Sequence, residues 1–385
     1  MRTIISILTL FCLTLASSVA LAGAGKNPHN GLNADAVAEL SAAGVDKYLG
    51  QFTPVTSTDV GDGWTKHTFD PDGGDGPICI AGTPFSAFTR QGNPSKLLIF
   101  EQGGGACWQD FYFCNILAED QEPPAPPVGI WNFDDKDNPF ADYSIVYMPY
   151  CDGSTFSGDN DVVDPNFPFG PVRFHRGLRN QSAGMDLAKA MFPNASRITV
   201  AGSSAGGVGA AGFAPFLARF EFGNNPKLTV LNDAGPVAIN LEDVVGITAR
   251  AADWQFDQFF PASCTACAAN GQSTEIIKWR LENDSTIREA FYETDGDATN
   301  RFFLNVPTQE EYRGLVIDEH GFINMLYPDR YKRFIVSGDD SHTALQSPLF
   351  SSQDANGVYL NEWTDDFLVP RPFWVDIVED FVPLP

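Results

Sequence analysis

Arg197-Ile198-Thr199-Val200-Ala201-Gly202-Ser203-Ser204-Ala205-Gly206-Gly207-Val208-Gly209-Ala210 is the stretch on which the reading of the whole chain turns. It opens with a β-branched run, Ile198-Thr199-Val200, of the kind that fills a buried strand. It then passes through a G-x-S-x-G sequence, Gly202 to Gly206, into small residues that read as a helix from Ala205 to Phe220. A serine on a sharp strand-to-helix turn needs such neighbours, because only small side chains let the two elements approach. The turn exposes the Ser204 hydroxyl, and the Ala205 N–H at the helix start points toward a developing oxyanion. The same residues can also form a plain tight connection, so the rest of the chain has to decide.

Short apolar runs recur on both sides of this stretch: Lys96–Phe100, Tyr143–Met148, Leu228–Leu231, Glu289–Tyr292 and Arg333–Val336. Polar or helical segments separate them, and Gln181–Met191 carries apolar residues at helical spacing. Continuous apolar strands alternating with helices predict an α/β fold, a mostly parallel sheet with helices on both faces. The residues just past the strand ends are more telling. Glu101-Gln102-Gly103-Gly104-Gly105-Ala106 comes after the first, Asn232-Asp233 after another, Asp295-Gly296-Asp297 after the next and Gly338-Asp339-Asp340-Ser341-His342 after the last. Open parallel sheets bind ligands beyond the carboxyl ends of their strands.

The glycine run can present unhindered N–H groups to an oxyanion, as the glycine-rich loops of lipases and esterases do. No lysine succeeds it in P-loop fashion, which disfavours nucleotide binding. A base and an orienting acid are then expected in the order serine, acid, histidine. His29, His67 and His175 precede Ser204, whereas His320 and His342 come after it. His342 lies in a polar turn after a strand, where a general base belongs. His320, in Asp318-Glu319-His320-Gly321, reads as a surface or helix-start residue. For the acid, position alone leaves Asp295, Asp297 and Asp233 open.

Charge narrows the partners. The chain of 385 residues has 49 acidic and 24 basic side chains, a net charge of −25. Nucleic acid and anionic membrane surfaces would be repelled, so neither is expected as a partner. Residues 1–22 read as a signal peptide, with Arg2, an apolar run from Ile4 to Val19, and Ala20-Leu21-Ala22 as the cleavage site. Residues 23–385 then form a single exported domain, secreted or periplasmic, without stable membrane association. The six cysteines outside the signal segment favour disulfides in that setting. Cys107–Cys114 and Cys264–Cys267 are easy local pairs, which leaves Cys79 with Cys151, although six cysteines allow about 15 connectivities. Cys264-x-x-Cys267 has no second pair or nearby histidine to make a zinc site. Asp159-Asn160-Asp161 resembles a fragment of a Ca²⁺ loop but lacks the rest. No metal or organic cofactor is expected.

Four segments in order resemble the pectin acetylesterases and the related Notum carboxylesterases. They are Glu101–Cys107, Tyr150-Cys151-Asp152-Gly153-Ser154 continuing through Phe156-Ser157-Gly158, Ala201–Gly207, and Asp233-Ala234-Gly235. The resemblance implies a serine carboxylesterase on an α/β-hydrolase-like sheet. It places the nucleophile on Ser204, the base on His342 and the oxyanion donors on Gly104, Gly105 and Ala205. The family's acid lies in a D-x-x-[QN] setting, which fits Asp297-Ala298-Thr299-Asn300 better than Asp295 and makes Asp233 a structural neighbour. Plant members carry tryptophan where this chain has Ala106, a difference that opens the acyl pocket.

The substrate expected is an ester on an acylated carbohydrate such as pectin, losing acetyl or another short acyl group. A lipid or polyester is the second reading, and a non-catalytic carbohydrate-binding protein on the same fold the third. Trp108 and Trp131 are the aromatic residues expected near the site.

Overall fold

The computed structural model describes residues 31–70, 74–117, 127–269, 271–369 and 371–385. The expected signal segment 1–22 and most of the proline-rich stretch 122–127 lie outside them. A ten-stranded sheet is the frame. Its strands are β1 (Thr56–Gly61), β2 (Trp64–Thr68), β3 (Ser86–Arg90), β4 (Asn93–Glu101), β5 (Tyr143–Met148), β6 (Arg197–Ser203), β7 (Lys227–Asp233), β8 (Arg288–Thr294), β9 (Tyr331–Val336) and β10 (Ile377–Val378). They lie in the order β1-β2-β3-β5-β4-β6-β7-β8-β9-β10. From β5 to β10 every pair is parallel, and β1, β2, β3 and β5 pair antiparallel at one edge. This is an α/β-hydrolase-like sheet. The antiparallel edge leaves no clear mark in the sequence, because its half-exposed strands lack the continuous apolar runs that mark the centre.

Alternation along the central strands sends side chains to two separate cores. Leu97, Ile99, Ile198, Val200 and Val230 pack on one face, with the helices Gly177–Met191 and Ala214–Phe222. Leu98, Phe100, Ala201, Leu231, Tyr292 and Phe334 pack on the other, against Trp363 and Phe367 of the helix Leu360–Leu368. Each fully buried aliphatic contributes about 1.5–3 kcal/mol, so both faces must stay covered.

Two expected elements are corrected. The helix expected over Ala205–Phe220 is two helices, Ala205–Ala211 and Ala214–Phe222. They break at Gly212, and Pro215, which has no N–H to offer, sits in the first turn of the second. The helix expected from Gln181 begins one turn earlier, at Gly177. The disulfides are Cys79–Cys151, Cys107–Cys114 and Cys264–Cys267, as the spacing suggests. Among the described residues no helix is long and apolar enough to cross a membrane.

Candidate active site

Registry brings the chemistry-bearing strand ends level. Gly202 of β6 lies opposite Glu101 of β4, Ser203 opposite Asp233 of β7, and Asp233 opposite Tyr292 of β8. Thr294 at the end of β8 pairs with Val336 at the end of β9. The loops that carry Ser204, Asp297 and His342 therefore leave the sheet at the same edge.

Ser204 occupies the turn between β6 and the helix Ala205–Ala211 with φ 57° and ψ −123°. A non-glycine residue at positive φ is strained, and such strain gathers at functional turns. The glycines explain how the turn closes. A Cβ at Gly202 would run into the Gly206 carbonyl, and one at Gly206 into the Glu101 carbonyl. Gly103 approaches equally closely: a Cβ there would stand 2.6 Å from the Ser203 carbonyl oxygen and 2.8 Å from the Ser204 Cβ. Thus the glycine run lies directly against the serine turn. Ala205 is the first residue of its helix, so its N–H has no partner within that helix.

The glycine run is fixed from behind. The Gly104 carbonyl accepts from Asn115 N at 2.8 Å, and Gly105 begins the hairpin Gly105–Trp108/Phe111–Cys114, which the Cys107–Cys114 bridge clamps. Glu101 is fully buried and accepts from Gln181 Nε2 at 2.8 Å. Burial pushes its carboxyl well above the usual range, with a smaller contribution from Asp152 in the same direction.

His342 Nδ1 lies 2.6 Å from Asp297 Oδ2, and its Nε2 is buried without a hydrogen-bond partner among the described residues. Asp297 caps the helix Ala298–Leu304 by accepting from Asn300 N at 2.8 Å. The Asn300 amide nitrogen bridges Asp297 Oδ2 (3.0 Å), Glu293 Oε2 (3.1 Å) and the Ala234 carbonyl (3.0 Å). Tyr312 donates to Glu293 Oε2 at 2.8 Å. Burial, and then the Asp297 carboxylate, push Glu293 well above the usual range.

The rival acids have other duties. Asp295 accepts from Gln309 Nε2, Arg313 Nη1, Ser337 Oγ and Gly338 N, which exhausts its lone pairs. Asp233 accepts from Ser203 Oγ at 2.5 Å and from the amides of Ala344 and Leu345 at 2.8 and 3.0 Å. One buried carboxylate thereby ties the serine turn to the loop that carries His342.

Two expectations change. His320 is fully buried inside the helix Gln309–Leu326, not at a surface or a helix start. Its ring hydrogen-bonds Tyr331 Oη and the Pro236 carbonyl, and burial lowers its pKa to about 3. Trp131 does not line the site. It packs in the core on one face of the sheet, edge-on to Phe100 at 4.9 Å. The carboxylates of the Asp159-Asn160-Asp161 fragment are taken up in ion pairs, Asp159 with Lys47 and Arg179 and Asp161 with Arg176.

Ser204, Gly105, Ala205 and Asn300 open onto one cavity of about 390 Å³. Ala106, Trp108, Phe213, Val237, Trp254, Phe260 and Ile276 form much of its wall. Trp108 stacks on Phe111 with 3.9 Å between ring centres. The cavity and its walls are not legible in the sequence beyond Ala106 and Trp108, since they come from a helix, Val244–Trp254, and from loops far apart in the chain.

Fold and turn together define an α/β-hydrolase-like protein with a serine at the strand-to-helix elbow beside a glycine run. The profile of the Pectinacetylesterase family matches residues 70–267, just over half of the chain, and the protein belongs to that family. Ser204 and the glycine run fall inside the matched region; Asp297 and His342 lie beyond it. Pectin acetylesterase 11 of Arabidopsis thaliana is 29% identical over 148 residues, which span 35% of this chain and 36% of that protein.

Proposed function

We propose that the protein is an exported serine carboxylesterase that removes acetyl or other short acyl groups from a polysaccharide such as pectin. The observation that carries this reading is the His342–Asp297 pair with an unpartnered Nε2, on the sheet edge where Ser204 and the glycine run meet. Donation of Nδ1–H to Asp297 leaves the lone pair on Nε2, the tautomer a general base requires. In the first step His342 takes the Ser204 proton as Oγ attacks the ester carbonyl. The N–H groups of Gly104, Gly105 and Ala205 hold the oxyanion. The imidazolium returns its proton to the departing alcohol, leaving an acyl-serine. Water then attacks that ester, giving a proton to His342, and Ser204 is released with the free acid. Asp297 accepts the Nδ1–H hydrogen bond and stabilises the imidazolium. These steps draw on no metal or organic cofactor.

Family membership supports acetylated pectin as the substrate class. The cavity supports a second reading on the acyl side, a lipid or polyester ester, because its mostly apolar wall encloses more space than an acetyl methyl fills. Acetate release from acetylated pectin, set beside hydrolysis of p-nitrophenyl esters from acetate to decanoate, tests both. The first reading expects acetate release that Ser204→Ala abolishes. Activity confined to long-chain esters moves the second reading ahead, and an inert wild-type protein that still binds the polysaccharide returns the chain to a binding role.

A further inference from the structure

Arg250 stands on the helix Val244–Trp254, in the wall of the Ser204 cavity. Among the described residues that line this cavity it is the single basic side chain, and the exposed Asp257 is the single acidic one. The Arg250 side chain retains 11% of its exposure. Its guanidinium carbon lies 5.0 Å from the centre of the Trp108 ring. Asp243 Oδ2 is 3.7 Å from Nη1, beyond hydrogen-bond range. The other Asp243 oxygen is spent on the helix start, where it accepts from Gly246 N at 3.2 Å. Burial lowers the Arg250 pKa, opposed by Asp243.

The buried Arg280, Arg173 and Arg219 each hold a carboxylate at hydrogen-bond distance. Arg280 donates to both Glu289 oxygens and to the carbonyls of Ala211 and Gly212. Arg173 reaches Asp164 and Asp253, and Arg219 reaches Asp284, Pro226 and Thr286. A guanidinium withdrawn from water with no acceptor at hydrogen-bond distance among the described residues loses hydration that an ion pair at 3.7 Å, here with Asp243, returns only in part. Arg250 carries that cost in the wall of the cavity onto which Ser204 opens. Its planar fork suits a carboxylate, which accepts two parallel N–H bonds.

We propose that Arg250 binds a carboxylate of the ester substrate while Ser204 attacks the ester, a role that rests on the esterase reading above. The carboxylate of a uronate ring next to the acylated hydroxyl has this chemistry, and so does an acid group at the end of the acyl chain. The placement also answers the charge problem. A protein of net charge −25 repels a polyuronate at long range. Salt screens that repulsion beyond about 10 Å, whereas a cation in a largely apolar cavity is screened far less.

The test is a set of specificity ratios with wild type, R250Q and R250K. One pair of substrates is O-acetylated oligogalacturonide with free carboxylates and the same oligomer fully methyl-esterified. The other is the p-nitrophenyl monoester of glutaric acid beside p-nitrophenyl valerate. The proposal expects R250Q to lower the charged-to-neutral kcat/KM ratio about tenfold in one pair, a loss in the range set by charge-assisted hydrogen bonds. R250K, which keeps the charge but not the fork, should fall between. The pair that responds tells whether the carboxylate belongs to the uronate or to the acyl chain. Active enzymes whose ratios are equal in wild type and R250Q overturn the role of Arg250 and leave the esterase intact. Wild-type protein inert toward all four esters overturns the esterase reading, and the Arg250 role with it.

Discussion

His342 and His320 are the two histidines that come after the serine turn, and they meet their surroundings in opposite ways. Each ring holds an oxygen through Nδ1, Asp297 Oδ2 at 2.6 Å for His342 and Tyr331 Oη at 2.5 Å for His320. The difference lies at the second nitrogen. His320 Nε2 is 2.5 Å from the Pro236 carbonyl, and its ring stacks on Phe291 with 3.9 Å between centres. His342 Nε2 has no hydrogen-bond partner among the described residues. A histidine with both nitrogens engaged and its ring stacked can only brace the fold. One held at Nδ1 and open at Nε2 can accept a proton, and the positioned acid decides which nitrogen stays open.

The two aspartates after β8 divide the same way, and substitutions there give the largest expected contrast. Asp297→Asn lets the amide hydrogen-bond the other imidazole tautomer, so kcat should fall by about 10⁴-fold with little change in the melting curve. Asp295→Asn breaks the buried contact with Arg313, so it should cost about 3 kcal/mol of stability while kcat moves by less than about threefold. Steady-state kinetics beside thermal unfolding check the pair. Similar kinetic losses in both variants would dissolve the distinction.

A smaller effect concerns pH. Folded His320 stays neutral down to about pH 3, whereas the unfolded histidine takes up a proton below its ordinary value of about 6.5. Stability therefore falls as pH drops through this window, by about 1.4 kcal/mol per unit for this one group. Between pH 7 and pH 5 the loss attributable to His320 comes to about 2 kcal/mol. In His320→Gln that part of the acid slope should vanish, although the variant starts less stable because the stacked ring is gone. His175, also buried with a pKa lowered to about 3, keeps its own share of the slope in both proteins. Urea unfolding at the two pH values measures the difference. An unchanged slope means that His320 titrates normally in the folded protein.

The strand ends and the turns beyond them are legible in the sequence because continuous apolar runs and small-residue turns leave local marks. Ser204, the glycine run and His342 carry such marks, whereas position alone leaves Asp295, Asp297 and Asp233 open and only the family resemblance, through the asparagine three residues on, favours Asp297 over Asp295. Other features leave none. His320 reads as exposed because Asp318-Glu319 before it and Gly321 after it are surface-like, although the helix turns His320 itself inward against Phe291. Trp131 reads as a site residue because its loop is polar, yet its ring is drawn into the core by Phe100 and Tyr147. Arg250 shows nothing, since a lone arginine on a helix is ordinary until its place in the cavity wall, with no acceptor at hydrogen-bond distance among the described residues, is seen. The Glu293–Asn300–Tyr312 cluster behind Asp297 depends on contacts between β8 and two later helices, which no local pattern encodes.

The most direct test of the central claim is to treat the purified protein with a fluorophosphonate ester and map the adduct by peptide mass spectrometry. A serine activated by an open Nε2 should take one label, on Ser204. Labelling should be lost in Ser204→Ala, slowed by orders of magnitude in His342→Gln, and retained at the wild-type rate in Asp295→Asn. A label on Ser203 or elsewhere, or no label on a protein that still hydrolyses p-nitrophenyl acetate, would contradict the account.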